Sequence, residues 1–227
     1  MKRIFLLLFA IGVVFASFGQ TKADKTERLD FRLDNTLEIG HNITLGGKDR
    51  LDIDFGSLSL QKYLFRMRYR STNWHYDWKF GGFWQFYKVG DDNLITADAK
   101  GKVNTWNLPE GYNKEKSFIH TYGWSSLLIA YYQLNEKHQL GLGLTYRNVY
   151  GNTKSRYKDA TGETFDDMHY LRNLHRHVFG AKVEYYGKMG YIYATYSHTK
   201  LFLSNCKANN ASILETGVAL YIRTGKK

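Results

Sequence analysis

Asn73–Tyr87 reads NWHYDWKFGGFWQFY. Its even positions are Trp74, Tyr76, Trp78, Phe80, Gly82, Trp84 and Phe86, and its odd positions are His75, Asp77, Lys79, Gly81, Phe83, Gln85 and Tyr87. Successive side chains of a strand point to opposite faces, so a period of two gathers the even set on one side. A helix repeats every 3.6 residues and would scatter both sets. The stretch therefore predicts a strand with one aromatic face and one face carrying charge.

Outward from this stretch the same sorting recurs. In Leu29–Leu45 the odd positions are mostly apolar (Leu29, Phe31, Leu33, Leu37, Ile39, Ile43, Leu45), whereas the even ones include Asp30, Arg32, Asp34 and Glu38. Gly46, Gly47, Lys48 and Asp49 form a turn signal. Odd apolar positions resume at Leu51, Ile53, Phe55, Tyr63, Phe65, Met67 and Tyr69, opposite in parity to Arg66, Arg68 and Arg70. Residues opposed in an antiparallel pair face the same way. A five-residue loop pairs Leu45 with Leu51 and Leu29 with Met67, which predicts one hairpin roughly 56 Å long at about 3.3 Å per residue. A short turn at Ser71–Asn73 then pairs Tyr69 with Trp74, and it sets Arg66 opposite Asp77 and Arg68 opposite His75.

Farther along, Leu140, Leu142, Leu144 and Tyr146 alternate with Gly141, Gly143, Thr145 and Arg147. Phe179, Ala181, Val183 and Tyr185 alternate with Gly180, Lys182, Glu184 and Tyr186. Leu214, Thr216, Val218, Leu220 and Ile222 alternate with Glu215, Gly217, Ala219, Tyr221 and Arg223. Ser117–Tyr132 and Tyr191–Leu203 read as strands whose facing the pattern leaves open. Lys88–Lys116 and Gly151–Arg172 read as long polar loops, and Ser204–Asn210 as a shorter one. The total is eight strands, with short turns at one end and longer connections at the other.

Composition fits that reading. The chain of 227 residues holds 18 Tyr, 14 Phe and 5 Trp, and a single Pro, at position 109, which suits long uninterrupted ladders. Its one Cys, Cys206, excludes an intrachain disulfide and a Cys-based metal site. The net charge of +11 would suit an anionic surface. No nucleic-acid-binding motif accompanies it, so nucleic acid is not an expected partner. At the N-terminus, Lys2 and Arg3 precede the apolar run Ile4–Ala16 and the small residues Ser17 and Gly19. This predicts a cleaved signal peptide over 1–19, a polar leader over 20–28 and a barrel domain over 29–227. The run is shorter than the roughly 20 residues a spanning helix needs.

Signal, strand number, loop asymmetry and aromatic alternation together make the chain resemble the small eight-stranded bacterial outer-membrane β-barrels, over roughly Leu29–Arg223. The resemblance implies an antiparallel up-and-down transmembrane barrel with short periplasmic turns and long external loops. It also implies a monomer in the bacterial outer membrane, partnered by outer-membrane lipid and lipopolysaccharide and by the barrel assembly machinery during biogenesis. The lipid-facing aromatic band would be Trp74, Tyr76, Trp78, Phe80, Trp84 and Phe86. The lumen would take Asp30, Arg32, Arg66, Arg68, Arg70, His75, Asp77, Lys79, Gln85, Arg147, Lys182, Glu184, Glu215 and Arg223. Eight strands enclose just enough room for side chains, so a salt-bridged filling is expected rather than a pore.

Other chemistry is thin. His175 and His177, near His169, Asp166 and Asp167, would share a face if extended and are the candidate metal ligands; a polar loop explains them as well. Ser197 beside His198 hints at a hydrolase acting on lipid A, but neighbours on a strand point apart and cannot share the activating hydrogen bond. No cofactor is expected. The leading expectation is a non-enzymatic structural anchor or surface-recognition module. The alternatives are a lipid-modifying enzyme and a secreted lipocalin-like carrier, in which the aromatic face would turn inward.

Overall fold

The computed structural model describes residues 28–45, 57–71, 74–90, 93–97, 103–107, 110–172, 174–187, 190–203 and 212–221. Every named element is a strand: β1 (Arg28–Leu33), β2 (Thr36–Leu45), β3 (Leu58–Arg70), β4 (Trp74–Lys88), β5 (Asn93–Ala97), β6 (Val103–Asn107), β7 (Asn113–Asn135), β8 (His138–Lys158), β9 (Thr164–Tyr170), β10 (His177–Tyr186), β11 (Gly190–Ser197) and β12 (Ser212–Tyr221).

The pairing closes on itself. β3 pairs β2, then the path runs through β12, β11, β10, β8, β7 and β4, and β4 returns to β3. All of these pairings are antiparallel. β1 continues β2 and pairs the lower half of β3, so the two make one wall strand. The chain is thus an up-and-down barrel of eight strands, the closure that removes sheet edges. Strand ends lie at the short connections 70–74, 135–138 and 186–190 on one rim. The longer connections lie on the other.

The first hairpin departs from its expected register. Leu29 faces Tyr69 rather than Met67, and the upper half pairs Ile39 with Leu60 and His41 with Leu58. A bulge between Tyr63 and Phe65 leaves Leu64 as an extra residue, so β3 changes parity there. Above it Ser59, Gln61 and Tyr63 point inward; below it Arg66 does. Tyr63, assigned to the apolar outer set by alternation, is therefore buried inside. The partner strand bends at the same level, where the Asp34 carboxylate accepts hydrogen bonds from Thr36 N at 2.9 Å and Thr36 Oγ1 at 2.5 Å. The expected hairpin tip, including Leu51, Ile53 and Phe55, lies outside the described residues.

The loop end holds more structure than its polar sequence suggests. β7 and β8 run 23 and 21 residues, past the wall, and β9 joins β8 to form a flap. β5 and β6 form a separate hairpin within the segment read as a loop. Leu171, in the segment read as a polar loop, and Leu174 just after it fold inward, as do Leu201 and Phe202 from the segment read as a strand of open facing, which ends as a strand at Ser197. They pack with Phe83, Tyr87, Val89, Ile119, Val149, Val178 and Ile213. An isolated bridge between Leu174 and Phe202 ties those connections together.

Two consequences can be measured. On β8 the inward glycines make room for rings: a Cβ at Gly141 would stand 2.5 Å from the Tyr131 ring. Gly141→Val is expected to cost about 1–3 kcal/mol, read as a lower urea midpoint in detergent. Gly187→Ala, with nothing within 4 Å of the added carbon, should leave the midpoint unmoved. In the flap, Arg156 donates from Nε and Nη2 to Asp166 at 2.7 Å each, and this holds Asp166 below the ordinary carboxylate range. A depressed folded-state value means the contribution is complete above the unfolded value and lost as pH falls through the folded one. Amide protection in β9 should hold from pH 7 to about 5 and drop below about pH 4, by no more than about fivefold for so exposed a pair.

Candidate functional site: the barrel interior and its two faces

On β4 the alternation resolves as two environments. His75, Asp77, Lys79, Phe83, Gln85 and Tyr87 are buried inside the ring. Trp74, Tyr76 and Trp84 stand outside with exposures of 44%, 37% and 39%, while Trp78, Phe80 and Phe86 are half-buried on the same outer face. The outer wall elsewhere mixes aliphatic and aromatic groups, with Leu142, Leu144, Val183, Ile192, Val218 and Leu220 exposed beside Tyr132, Phe179, Tyr185 and Tyr196. Lys62, between Leu37 and Gly82, interrupts it.

Inside, the charges meet in layers. Nearest the short-turn rim, Arg68 grips Asp77 through Nε and Nη2 at 2.6 and 2.7 Å, and Arg66 lies 4.0 Å from both Asp77 and Asp34. Arg66 and Asp77 are thus neighbours across β3 and β4, although their registered partners are Lys79 and Arg68. The expected pairing was two residues out, and because two is the strand period the faces survived. His75 stacks on Tyr131 at 4.5 Å.

The next layer is a lysine–glutamate–tyrosine box. Lys79 Nζ lies 3.2 Å from Glu184 Oε2 and donates to Tyr186 OH at 3.1 Å. Lys182 bonds Glu38 and lies 3.2 Å from Glu184 Oε1. Tyr131 donates to Glu184, and Tyr191 donates to Glu38 at 2.5 Å. The Lys79 ammonium sits 5.1–5.8 Å from the ring centres of Tyr63, Tyr131, Tyr186 and Tyr191, and Lys182 lies 4.3 Å from that of Tyr193. These faces offer a desolvated cation partial compensation.

Above this, Glu215 accepts from Arg147 Nη2 at 2.8 Å, Gln85 Nε2 at 3.1 Å, Ser59 Oγ at 2.9 Å and Tyr193 OH at 2.8 Å. Arg147 also donates to Gln61 at 3.1 Å and lies over the Phe83 ring. The Leu171–Leu174–Leu201–Phe202 cluster then covers the loop end. Among the described residues, five interior cations (Arg66, Arg68, Lys79, Arg147, Lys182) face five carboxylates (Asp34, Glu38, Asp77, Glu184, Glu215). Such a filling is charge-neutral, as a water-poor interior demands.

Several expectations need correction. Arg70 is exposed at the rim, and Asp30 and Arg32 pair with each other there at 3.8 Å, with side chains 44% and 42% exposed. Arg223 lies outside the described residues. Glu38 and Asp34 belong to the interior and were not assigned to it, nor were Tyr63, Tyr131, Tyr186, Tyr191 and Tyr193. Tyr186 was legible, since it shares parity with Lys182 and Glu184. His177 is exposed, with Nδ1 2.8 Å from Tyr146 OH on the outer face. His175 is half-buried and its backbone N donates to Leu201 O. Among the described residues no three His, Cys, Asp or Glu gather for a metal. Ser197 is buried and His198 is exposed, on opposite sides of the strand end.

No protein-family model matches the chain, and no curated protein matches it. Among solved structures it is similar to Ail, the attachment invasion locus protein of Yersinia pestis, at 12% identity and a TM-score of 0.35, covering 87% of this chain and 99% of that one. Ail in complex with the heparin analogue sucrose octasulfate matches over the same shares at 12% identity and a TM-score of 0.31. A mutant Rh. blastica porin matches at 11% identity and a TM-score of 0.21, covering 84% of this chain and 99% of that one. The barrel assignment rests on the strand pairing of the chain itself.

Arg147→Met would leave the Glu215 carboxylate buried among neutral donors. It is expected to destabilise the barrel by about 3–5 kcal/mol, measured by urea unfolding followed through tryptophan fluorescence. Adding Glu215→Gln should recover part of the loss, so the two substitutions together cost less than their sum.

Proposed function

We propose that the chain is a bacterial outer-membrane barrel with a closed interior, acting without catalysis as an anchor and surface-recognition module. The observation that carries this is the inside-out sorting of the wall. Lys79, Lys182, Glu184 and Glu215 are at most 2% exposed inside the ring, while Leu144 and Ile192 are 68% and 58% exposed outside it. A water-soluble barrel has the opposite economy, with apolar groups within and charge without. An apolar, aromatic exterior around a polar interior is the arrangement hydrocarbon surroundings favour.

Neither rival draws support from particular residues. A lipocalin-like carrier requires an apolar cavity, and the space is occupied by ion pairs and tyrosines. A lipid hydrolase requires a nucleophile with its base on one face, and Ser197 and His198 diverge. With lumen and chemistry set aside, recognition falls to the loop-end rim, where exposed loops on a rigid scaffold commonly bind.

Two measurements test the reading together. The full-length chain should require detergent for extraction and should migrate differently on gels before and after boiling. In a planar bilayer it should give no steady ion conductance, because the paired side chains fill the bore. Solubility without detergent would overturn the membrane assignment, and a stable open channel would overturn the closed interior.

A further inference from the structure

Among the described residues β9 is paired on one side only, by β8. Leu171 N donates to Gly151 O at 2.9 Å, and at the other end of this ladder Asp159 N donates to Glu163 O at 3.0 Å. The bonded positions of the ladder are therefore the odd ones. Alternation turns the N–H and C=O groups of Thr164, Asp166, Met168 and Tyr170 toward the open edge. Exposed edges are normally blunted by Lys, Pro or a bulge. The β9 sequence TFDDMHY holds no Lys, Pro or Gly, and its register with β8 is unbroken. Phe165, Met168 and Tyr170 are 38%, 59% and 71% exposed. Both carboxylates are already matched, Asp166 by Arg156 and Asp167 by His169 at 2.5 Å. An edge with matched charge, exposed apolar groups and outward backbone donors and acceptors suits the addition of another strand.

The order of residues along β9 is complementary to itself. With a second β9 laid antiparallel and Met168 on the two-fold axis, Asp166 faces Tyr170 and Met168 faces Met168, each pair exchanging its outward backbone bonds. On the other face Asp167 meets His169 of the second copy, and His169 meets the second Asp167. The pair present within one copy thus extends into an alternating ring of carboxylate and imidazole. These odd positions are the ones not bonded across the new edge, where side chains approach most closely. Other registers lack this match. Placing Asp166 or Asp167 on the axis opposes like carboxylates. Sliding the other way sets His169 against itself and carries Asp166 past Tyr170, the last residue of the strand.

We infer that β9 pairs antiparallel with β9 of a second copy of this chain, with Met168 on the dyad. The inference rests on the surface-recognition reading above and makes the recognised partner another molecule of the same protein. The pairing also fixes how the copies meet. Antiparallel strands of one sheet are related by a two-fold axis normal to that sheet. The flap extends the wall strand β8, so this axis lies across the barrel and the second barrel points the opposite way. Two copies therefore join tip to tip, from facing membranes.

The test uses the full-length protein reconstituted into phosphatidylcholine vesicles, with clustering followed by light scattering. The lipid is neutral, so that charge on the chain cannot bridge vesicles by itself. Vesicles carrying the unaltered chain should cluster. Met168→Lys and Met168→Glu should each abolish clustering, because residue 168 faces itself and like charges would meet at the dyad. Mixing those two populations should restore it, a result that a folding defect in either variant does not produce. Lys137→Gln, at an exposed turn on the opposite rim, should cluster as the unaltered chain does. Vesicles of the unaltered chain that stay dispersed would overturn the proposal. So would clustering by Met168→Lys alone, or a mixed population that stays dispersed. Each sample is checked for detergent-dependent extraction and heat-dependent migration. A chain that shows neither rejects the membrane reading; one that shows both, yet leaves its vesicles dispersed, rejects the β9 pairing alone.

Discussion

Every other feature follows from the narrowness of an eight-stranded ring. Strand alternation sends every second side chain into a space that side chains alone can fill. Once Lys79, Lys182 and Arg147 point that way, each must find an anionic partner in the same volume, because bulk water cannot reach it. Glu184, Glu38 and Glu215 meet that demand from different strands, and the Lys79–Glu184 contact joins β4 to β10 across the bore. Backbone pairing closes the wall, and these cross-bore contacts connect strands that are not neighbours in it.

How much of this was legible in the sequence depends on what each feature requires. Asn73–Tyr87 gave its facing outright, because parity is a local property that survives any error of two in register. Arg66 and Asp77 ended as neighbours for that reason, although their expected register was out. An odd shift defeats the same reasoning. The bulge at Leu64 reversed the upper half of β3 and carried Tyr63 inside, and no turn or glycine in Lys62–Arg66 announced it. Glu38 was visible on the right face but had no partner until the ring was closed, since Lys182 lies 144 residues along the chain.

The interior tyrosines expose a different limit. Treating rings as outward-facing works for Trp74 and Trp84, which can sit in an apolar band. Tyrosine has a hydroxyl that a buried carboxylate can use, so it serves equally well inside. Tyr131, Tyr191 and Tyr193 each donate to a glutamate while lending a ring face to a lysine. The loop-end cap was hidden for the opposite reason. Leu171 is a lone apolar residue in a polar stretch, and Leu201 and Phe202 end a segment whose facing the pattern left open, so periodicity has nothing to say about residues whose burial depends on two connections meeting.

Interior neutrality also constrains where the protein can meet anything else. The chain carries 32 Lys and Arg against 21 Asp and Glu. Setting aside the five interior cations and five interior carboxylates found among the described residues removes equal numbers of each sign, so these pairs account for none of the surplus. A surplus on the lipid-facing wall would be costly, at roughly 2–4 kcal/mol per Lys or Arg at the midplane of such a barrel and less toward its edges, and on β4, β7 and β8 that wall is clean below Lys88 and Lys154. Pairing the interior charges therefore does more than stabilise the barrel. It leaves the described bore without net charge, so any positive field of the molecule arises from residues outside these pairs.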